Sequence, residues 1–289
     1  MDVLRKADKD IFSVCQTVYS GIDSEMWFDW AARLSDTAWT DDCYDLMRDG
    51  VRIGGAIVHA DFIASPFLAP PFCDRAAFWR ALLALAGGDR RVLGVSDADA
   101  AVLQTLGYVV TGTKLVMCRP TEPYEAVLPA GFSCRNADRP GDVEMIAEAF
   151  VSGFAGSIAR EPDGAYTQEG AEADVRYVLG VYGKKNFSCL VSDDATGTVA
   201  AACLAGGWDD APLGYTELTD LCVLPAYRRR GLGRYLIDRT INAAHGVSPF
   251  VKLCATAGNR AIALYLDAGF QPGPRFTSLA PYRWKETDK

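Results

Sequence analysis

The sequence predicts two α/β domains, each a mixed β-sheet covered by helices. The length of 289 residues suits two domains of about 100 to 200 residues each. Strand-like segments alternate with helical ones, and hairpin turns join some of the strands, which is typical of a mixed sheet. The two halves also end in related patterns, which indicates a tandem duplication.

The duplicated pattern is a short helix, a glycine followed by an aromatic residue, and then a strand. Setting Gly107 against Gly269 places Leu103 opposite Tyr265. Farther upstream, a proline-containing turn precedes a helix in each half. Two prolines in the segment 119–123 interrupt the chain between the halves, so we predict domains at residues 1–120 and 121–289.

Composition and charge exclude several classes of protein. Apolar residues make up 49% of the chain and charged residues 23%, which is ordinary for a globular protein. The net charge of −8 is unfavourable for a nucleic-acid partner. The N-terminal segment has no uninterrupted apolar run, so we expect no membrane association and a cytoplasmic location. Nine cysteines without CxxC spacing and two histidines predict neither disulfides nor a metal site.

Each element of the second half follows from a local pattern. Residues 132–136 alternate as a strand, and Asp142 is a candidate cap for a helix with one apolar face. The turn 194–197 joins two apolar runs as a hairpin, while Gly246 and Gly269 end helices. The predicted strands and helices are strands at 132–136, 187–192, 199–205, 215–224 and 250–255, and helices at 142–155, 172–181, 233–244 and 259–269.

The turn after the strand 215–224 is the most informative segment. Its residues are Arg228, Arg229, Arg230, Gly231, Leu232, Gly233 and Arg234. Glycines allow close backbone approach, a helix N-terminus presents free N–H groups, and arginines add donors, so the turn predicts a pyrophosphate site. A solvated basic turn is the alternative. The P-loop and GxGxxG patterns are incomplete, which excludes both nucleotide motifs.

The turn has a characteristic spacing with later residues: Arg228-x-x-Gly231-x-Gly233 follows an apolar strand, Asn259 and Tyr265 stand about thirty residues later, and Gly269-Phe270 closes the pattern. This spacing resembles the GNAT superfamily of acetyl-CoA-dependent N-acetyltransferases. The resemblance covers roughly residues 132–284, and the first half resembles the same fold without the signature. It implies two tandem GNAT-like acyl-CoA N-acyltransferase domains, with a degenerate first domain, acetyl-CoA as co-substrate and no metal.

The resemblance also implies how the coenzyme binds. The backbone of Leu221, Cys222 and Val223 would pair with the pantetheine arm, and Asn259 would contact it. The amides of residues 229–234 would hold the pyrophosphate. The physical argument agrees, because a strand that splays from its neighbour leaves unpaired N–H and C=O groups, which can form hydrogen bonds with the amides of the pantetheine arm. An N–H near Val223 would polarise the thioester carbonyl.

The resemblance suggests two catalytic residues. Glu217 stands fourteen residues before Gly231, where the histone-acetylating branch has its glutamate base. Strand alternation places Glu217, Thr219 and Leu221 on one face, with Asp220 as an alternative carboxylate on the other. The other interpretation of Glu217 is a solvent-facing carboxylate.

Tyr265 matches the tyrosine that often protonates the coenzyme thiolate in the family. The alternatives are a core aromatic for Tyr265 and a simple N-cap for Asn259. Cys254 replaces a glutamate that acetylases of ribosomal-protein N-termini carry, which argues against that branch. Cys222 and Cys254 are predicted to be buried strand residues and not nucleophiles.

The first half lacks these residues, since Phe62 corresponds to Glu217 and Leu103 to Tyr265. We therefore predict an N-acetyltransferase whose second half acetylates a primary amine of a small molecule or peptide by direct attack. The acceptor would enter near the segment 153–170 and the loop 208–210, where the acidic residues are Asp163, Glu169, Asp209 and Asp210. The competing hypothesis is a non-catalytic acyl-CoA-binding sensor or interaction module. The oligomeric state stays open between monomer and homodimer.

Overall fold

A computed structural model of the chain describes residues 1–20, 41–87, 89–158, 166–207 and 215–282. The chain divides into two compact units. The first comprises Met1–Leu115 and Pro274–Lys289, and the second comprises Val116–Gly273. Helices and mixed β-sheet make up both units, so the predicted α/β fold class is confirmed.

The elements follow one another in nearly the same order twice, except that the described residues give one helix after the first strand of the first unit and two helices after the first strand of the second. Those that begin in the first unit are β1 (Asp2–Lys6), α1 (Lys9–Tyr19), β2 (Cys43–Arg48), β3 (Val51–Val58), β4 (Phe62–Leu68), α2 (Arg75–Ala86), β5 (Arg91–Val95), α3 (Asp97–Thr105) and β6 (Tyr108–Pro120). Those that begin in the second are β7 (Phe132–Asn136), α4 (Asp142–Phe154), α5 (Gln168–Tyr182), β8 (Cys189–Asp193), β9 (Val199–Gly206), β10 (Tyr215–Val223), α6 (Leu232–Ala244), β11 (Phe250–Thr256), α7 (Ala261–Asp267) and β12 (Gln271–Pro281).

Strand pairing repeats in the two units as well. In the first, β1 to β4 pair antiparallel in chain order, and β5 pairs parallel with β4. In the second, β7 to β10 pair antiparallel in chain order, and β11 pairs parallel with β10. The shared element order and shared pairing support the duplication that the sequence predicts.

The compact units divide the chain differently from the predicted domains. The first boundary falls between Leu115 and Val116, and the chain returns to the first unit at Pro274. This return has a physical cause, because Thr277 in β12 pairs with Val95 in β5. A boundary drawn from prolines marks a break in the sequence pattern, whereas strand pairing decides which unit buries a segment.

The core of the second unit fixes the position of β10. Its buried residues from α4, α5 and the sheet are Ala137, Ile146, Ala147, Ala149, Phe150, Ala171, Val175, Leu190, Ala202, Leu204 and Cys222. Helix α4 approaches β10 closely, because a Cβ at Gly153 would lie 3.0 Å from the Cβ of Cys222. The strand is therefore held firmly from one face.

The start of α4 differs from the prediction in one detail. Gly141, in the left-handed conformation, is the N-cap, and Asp142 is the first helical residue. The carboxylate of Asp142 instead accepts hydrogen bonds from Arg135 and from the Arg139 N–H at 2.8 Å. The arginine on the neighbouring strand draws the carboxylate away from a capping position.

Candidate active site

Strands β10 and β11 separate partway along their length. Their parallel register runs only from Tyr215 with Phe250 to Glu217 with Lys252. Both strands continue beyond that pair, β10 to Val223 and β11 to Thr256. The second unit therefore has an opening between two adjacent strands, with one edge of β10 unpaired.

Backbone groups of β10 point into this opening. The Leu224 N–H donates to the Ala200 carbonyl at 2.9 Å, toward β9. Because backbone direction alternates along a strand, Cys222 also faces β9, while Leu221 and Val223 face the open side. The Val223 carbonyl accepts a hydrogen bond from the Arg228 side chain at 3.1 Å. The N–H groups of Leu221 and Val223 have no acceptor among the described residues.

The turn at the end of the open edge leaves a row of N–H groups unused. No described residue accepts a hydrogen bond from the backbone N–H groups of residues 229–234. The next amide, that of Tyr235, donates to the Gly231 carbonyl at 3.0 Å. Helix α6 also lacks a side-chain cap. The turn thus offers consecutive donors at a helix N-terminus, the arrangement that binds phosphate groups.

The turn keeps its shape through one arginine and two unusual backbone conformations. Besides its contact with Val223, the Arg228 side chain donates to the Gly153 carbonyl at 2.9 Å. Arg229 and Gly231 both have positive φ, at 64° and 86°. Left-handed residues in a turn direct successive N–H groups to one side, as in anion-binding nests. The side chain of Arg228 therefore holds the turn in place instead of projecting from it.

The other arginines differ in what their side chains contact. The Arg234 Nε lies 2.8 Å from Asp238 Oδ1, and its terminal nitrogens donate to the Asp267 carbonyl and to the Tyr124 hydroxyl. Arg230 lies over the Tyr227 ring, with Cζ 5.4 Å from the ring centroid. Arg234 therefore contributes its backbone to the turn, while Arg230 remains exposed beside it.

Gly233 is required by close packing between helices. A Cβ at this position would lie 3.2 Å from Leu264 Cδ2, tighter than ordinary van der Waals contact, and 3.8 Å from Val223 Cγ2. The glycine thus lets α6 approach both α7 and β10. The structure thus gives Gly233 a packing role. The sequence pattern alone does not distinguish this role from a glycine that lets a phosphate approach the backbone.

A β-bulge changes the predicted arrangement of side chains on β10. Glu217 pairs with Gly206 and Leu221 pairs with Cys203, with the register shift at Thr219. Gly206 and Cys203 are three residues apart, so they lie on opposite faces of β9, and their partners do too. The prediction that Glu217 and Leu221 share a face is therefore wrong.

The bulge also moves Asp220. This residue pairs with Leu204, which lies on the same face as Gly206. Glu217 and Asp220 thus share the face covered by α4 and α5, contrary to the predicted opposite placement. The inserted Thr219 contacts the hydroxyl of Tyr182 on α5.

Glu217 has a partner that the sequence analysis missed. The side chain of Glu217 is 22% exposed, and its Oε1 lies 3.7 Å from the Nζ of Lys252, which is fully buried. The same ammonium donates to the Tyr215 hydroxyl at 3.0 Å. A lysine inside the apolar run 250–255 was the available signal, because a buried lysine requires a charged or polar partner.

Tyr265 is buried on α7. Its ring meets Phe270 edge to face, with centroids 6.0 Å apart. Burial raises the pKa of Tyr265 to about 12, with smaller contributions from Cys203 and Asp220. Its hydroxyl makes no hydrogen bond within the described residues. The phenol is therefore protonated at neutral pH and free to donate.

Asn259 lies one residue before Arg260, the N-cap of α7, so the alternative of Asn259 as the N-cap is wrong. Its Oδ1 accepts a hydrogen bond from the Ala261 N–H at 2.9 Å. Within the described part of the chain its side-chain NH₂ group has no acceptor. The oxygen thus contacts the start of the helix, and the nitrogen is left for another group.

The two cysteines near the opening differ from each other. Cys222 is buried, its Sγ contacts the Ala149 carbonyl at 3.4 Å, and burial raises the pKa of its thiol to about 12. This agrees with the prediction of a structural residue. Cys254 is exposed, so its predicted burial is wrong.

The corresponding helix of the first unit differs at its start, because it has a side-chain cap. Asp74 caps α2, with its side chain accepting from the Ala77 N–H at 2.9 Å. Asp99, on α3, accepts from Arg75 at 2.7 Å and from the Trp79 indole at 2.8 Å. A capped helix with a carboxylate at its start disfavours a phosphate there.

Part of the predicted acceptor region lies outside the described residues. This holds for Asp163, Asp209, Asp210 and the loop 208–210, whereas Glu169 lies in the first turn of α5. Across the described ranges, no helix has both the length and the apolar character to cross a membrane. Nor do these ranges contain a cluster of three or more His, Cys, Asp or Glu residues suited to a metal ion.

Comparisons with known proteins agree with the fold. Residues 185–272 match the protein-family model described as an acetyltransferase (GNAT) domain. These residues include β10, the turn and Tyr265. No curated protein sequence matches the chain.

Two solved structures share the fold over nearly the whole chain. One is a GCN5-related N-acetyltransferase from Sphaerobacter thermophilus, with a TM-score of 0.70 at 18% identity, covering 96% of this chain and 94% of that one. The other is a tandem GNAT protein from the clavulanic acid biosynthesis pathway, with a TM-score of 0.59 at 14% identity, covering 96% and 97%. Residues 185–272 of the second unit are therefore similar to the GNAT acetyltransferase domain model, and the chain shares its fold with a tandem GNAT protein.

Proposed function

We propose that the protein is an acetyl-CoA-dependent N-acetyltransferase whose second unit transfers the acetyl group to a primary amine. The acceptor is a small molecule or a peptide. The unused N–H row of residues 229–234 at the end of the open edge of β10 carries this proposal. A diphosphate and an amide-bearing arm match these two features in order along the chain.

In this proposal, the coenzyme pairs with the second unit through backbone groups. The N–H groups of residues 229–234 bind the diphosphate, and exposed Arg229 and Arg230 add positive charge. The N–H of Val223 and the side-chain nitrogen of Asn259 donate to carbonyl groups of the pantetheine arm. The Leu221 N–H, nearer Glu217, is available to the thioester carbonyl, where negative charge develops during attack.

The reaction is direct transfer without a covalent enzyme intermediate. The neutral amine nitrogen attacks the thioester carbon, and a C–N bond forms. The tetrahedral intermediate then collapses, and the C–S bond breaks to release the coenzyme thiolate. Direct attack suits a site whose buried Cys222 has a raised pKa, because a protonated thiol is a poor nucleophile.

Two residues move the protons. An alkylamine with a pKa of about 10.4 is mostly protonated at neutral pH, so it must lose a proton before attack. Glu217, half-buried at the inner end of the opening, accepts the proton from the amine. Tyr265 donates its hydroxyl proton to the leaving thiolate, and its pKa of about 12 keeps it protonated until then. The proton that the nitrogen loses as the tetrahedral intermediate collapses restores the phenol, and Glu217 releases its proton to solvent.

Thiol release from acetyl-CoA tests the activity directly. The purified chain is incubated with acetyl-CoA and a panel containing a polyamine, an aminoglycoside, amino acids and a lysine peptide, and free thiol is measured. We expect amine-dependent release with at least one acceptor class. A sensor would instead show thermal stabilisation by coenzyme A without release. If coenzyme A does not stabilise the chain against heat and no amine causes thiol release, the proposed coenzyme binding is itself contradicted.

A further inference from the structure

A charged cluster lies at the inner end of the opening in the second unit. Lys252 is among the largest fully buried side chains of the described chain. Its Nζ lies 4.3 Å from the centroid of the Tyr215 ring and 3.0 Å from the Tyr215 hydroxyl. The Nζ is also 3.7 Å from Glu217 Oε1. A buried ammonium needs such partners, since an unpaired charge is costly to remove from water.

The cluster occupies one face of the sheet at one level. Glu217 and Lys252 are directly opposite in the parallel register, so their side chains lie on the same face. Tyr215, two residues before Glu217, shares that face. The lysine thus contacts the carboxylate where β10 and β11 are still paired, while part of the Glu217 side chain remains exposed.

We propose that Lys252 is a positioning residue for Glu217: its buried ammonium, 3.7 Å from Oε1, holds the carboxylate at the inner end of the opening and supplies its counter-charge. This inference rests on the proposed function, in which Glu217 accepts the proton of the acceptor amine. A carboxylate that loses water when the acceptor binds would otherwise be driven toward its neutral form. A neutral carboxyl could not accept that proton.

Among the described residues, Tyr182, Tyr215 and Asp220 are the other titratable groups on the face of Glu217, and Lys185 lies nearby with its side chain against Gly207, next to the Gly206 that pairs with Glu217. Tyr182, on α5, lies with its hydroxyl 3.5 Å from the Glu217 carbonyl, and burial raises its pKa well above the usual value, so it is neutral. Tyr215 is a neutral phenol that contacts the ammonium. Asp220 shares the face and carries negative charge. Lys252 therefore opposes the effect of both burial and Asp220.

The substitution Lys252→Met tests the proposal, because it removes the charge and keeps an unbranched side chain. The kcat is measured from about pH 6 to pH 9.5 at saturating acetyl-CoA and amine. We expect the rise of kcat on the acidic side of the pH profile to move to higher pH by about one unit or more. The kcat should fall at least about tenfold at pH 6.5 and approach the unaltered value near pH 9. Lys184→Met, at an exposed lysine on the turn after α5, is the matched control and should leave the profile unchanged.

Two comparisons separate this inference from the proposed function. If Glu217→Gln keeps the unaltered kcat and profile, the base assignment fails. If Glu217→Gln loses activity while Lys252→Met keeps the unaltered pH profile, only the positioning role is overturned. A uniform loss of kcat at every pH in Lys252→Met, with coenzyme affinity retained, would also overturn it, because a purely structural effect has no pH dependence.

A measurement on the unaltered protein covers the case in which Lys252→Met does not fold. The NMR signal of the Glu217 carboxyl carbon is assigned as the one missing from the spectrum of Glu217→Gln. Its chemical shift is then measured in the complex with coenzyme A. We expect the ionised chemical shift at pH 7. A protonated carboxyl at that pH would overturn the proposal.

Discussion

Glu217 and Lys252 form the last pair in the parallel register of β10 and β11. Beyond this pair the two strands continue without pairing, and the edge of β10 opens as far as the arginine-rich turn. One end of the opening therefore carries a carboxylate with a buried counter-charge, and the other carries free amide donors. Proton transfer and phosphate binding are assigned to opposite ends of one strand.

Replacing Glu217 by glutamine tests its assignment as the base. Glutamine keeps the shape of the side chain and cannot accept the proton. We expect kcat at neutral pH to fall on the order of 10²-fold or more, with coenzyme A affinity within about twofold of the unaltered value. Steady-state kinetics and calorimetric titration provide the two readouts. Glu148→Gln, at an exposed position on α4, is the matched control, and an unaltered kcat in Glu217→Gln would remove the residue from the mechanism.

Removing the Tyr265 hydroxyl tests the proton donor. In Tyr265→Phe the ring remains against Phe270, so the fold should persist. The leaving thiolate loses its donor, and we expect kcat to fall by about 10²-fold with little change in coenzyme affinity. Tyr177→Phe, at a tyrosine that is 65% exposed, is the control. If the variant weakens binding and leaves kcat unchanged, the hydroxyl contacts the coenzyme without donating a proton.

Substitutions at Gly231 separate charge from backbone strain. The residue has φ of 86°, which asparagine and aspartate tolerate better than other side chains. Gly231→Asn introduces a side chain without charge, and Gly231→Asp adds repulsion toward a diphosphate. We expect coenzyme A affinity to be at least about tenfold weaker for the aspartate than for the asparagine variant, which corresponds to ~1.4 kcal/mol. Equal affinities in calorimetric titration would show that the phosphates lie elsewhere.

The ion pair between Arg135 and Asp142 predicts a pH-dependent stability. Burial alone raises the pKa of Asp142, but hydrogen bonds from Arg135 and the Arg139 N–H together outweigh it and hold the pKa below the usual 3.8. Such a group stabilises the fold above pH 3.8 and ceases to do so as the pH falls through the lowered folded value. We expect Asp142→Asn to lower the free energy of unfolding by roughly 1–3 kcal/mol at pH 7.

Urea unfolding at several pH values checks this expectation. The difference in unfolding free energy between the unaltered chain and Asp142→Asn should shrink as the pH falls below 3.8. A difference that stays constant with pH would mean that the carboxylate charge does not contribute. Glu148→Asn, also on α4 and exposed, controls for the effect of the substitution on the helix.

Local patterns in the sequence were sufficient to predict much of the fold. The alternation at 132–136 matches β7, and the hairpin turn 194–197 joins β8 to β9. The glycines and arginines after β10 correctly mark the start of α6, because the signals for a helix N-terminus lie within a few residues. The site residues stay predictions, since they concern binding and catalysis.

Other features depend on contacts that no local pattern contains. The bulge at Thr219 arises from the register of β10 against β9, so simple alternation assigned Leu221 to the wrong face. The pairing of Lys252 with Glu217 joins residues 35 positions apart in the chain, on strands that become neighbours only in the folded sheet. The return of β12 to β5 likewise follows from tertiary pairing.

A crystal structure of the chain with coenzyme A tests the central claim most directly. The prediction is that diphosphate oxygens lie within about 3 Å of backbone nitrogens in the turn 229–234, with the pantetheine along the open edge of β10. The opposite result would be a turn that holds no phosphate while the coenzyme occupies another part of the chain. In that case neither the proton transfers assigned to Glu217 and Tyr265 nor the direct acetyl transfer between them could take place as described.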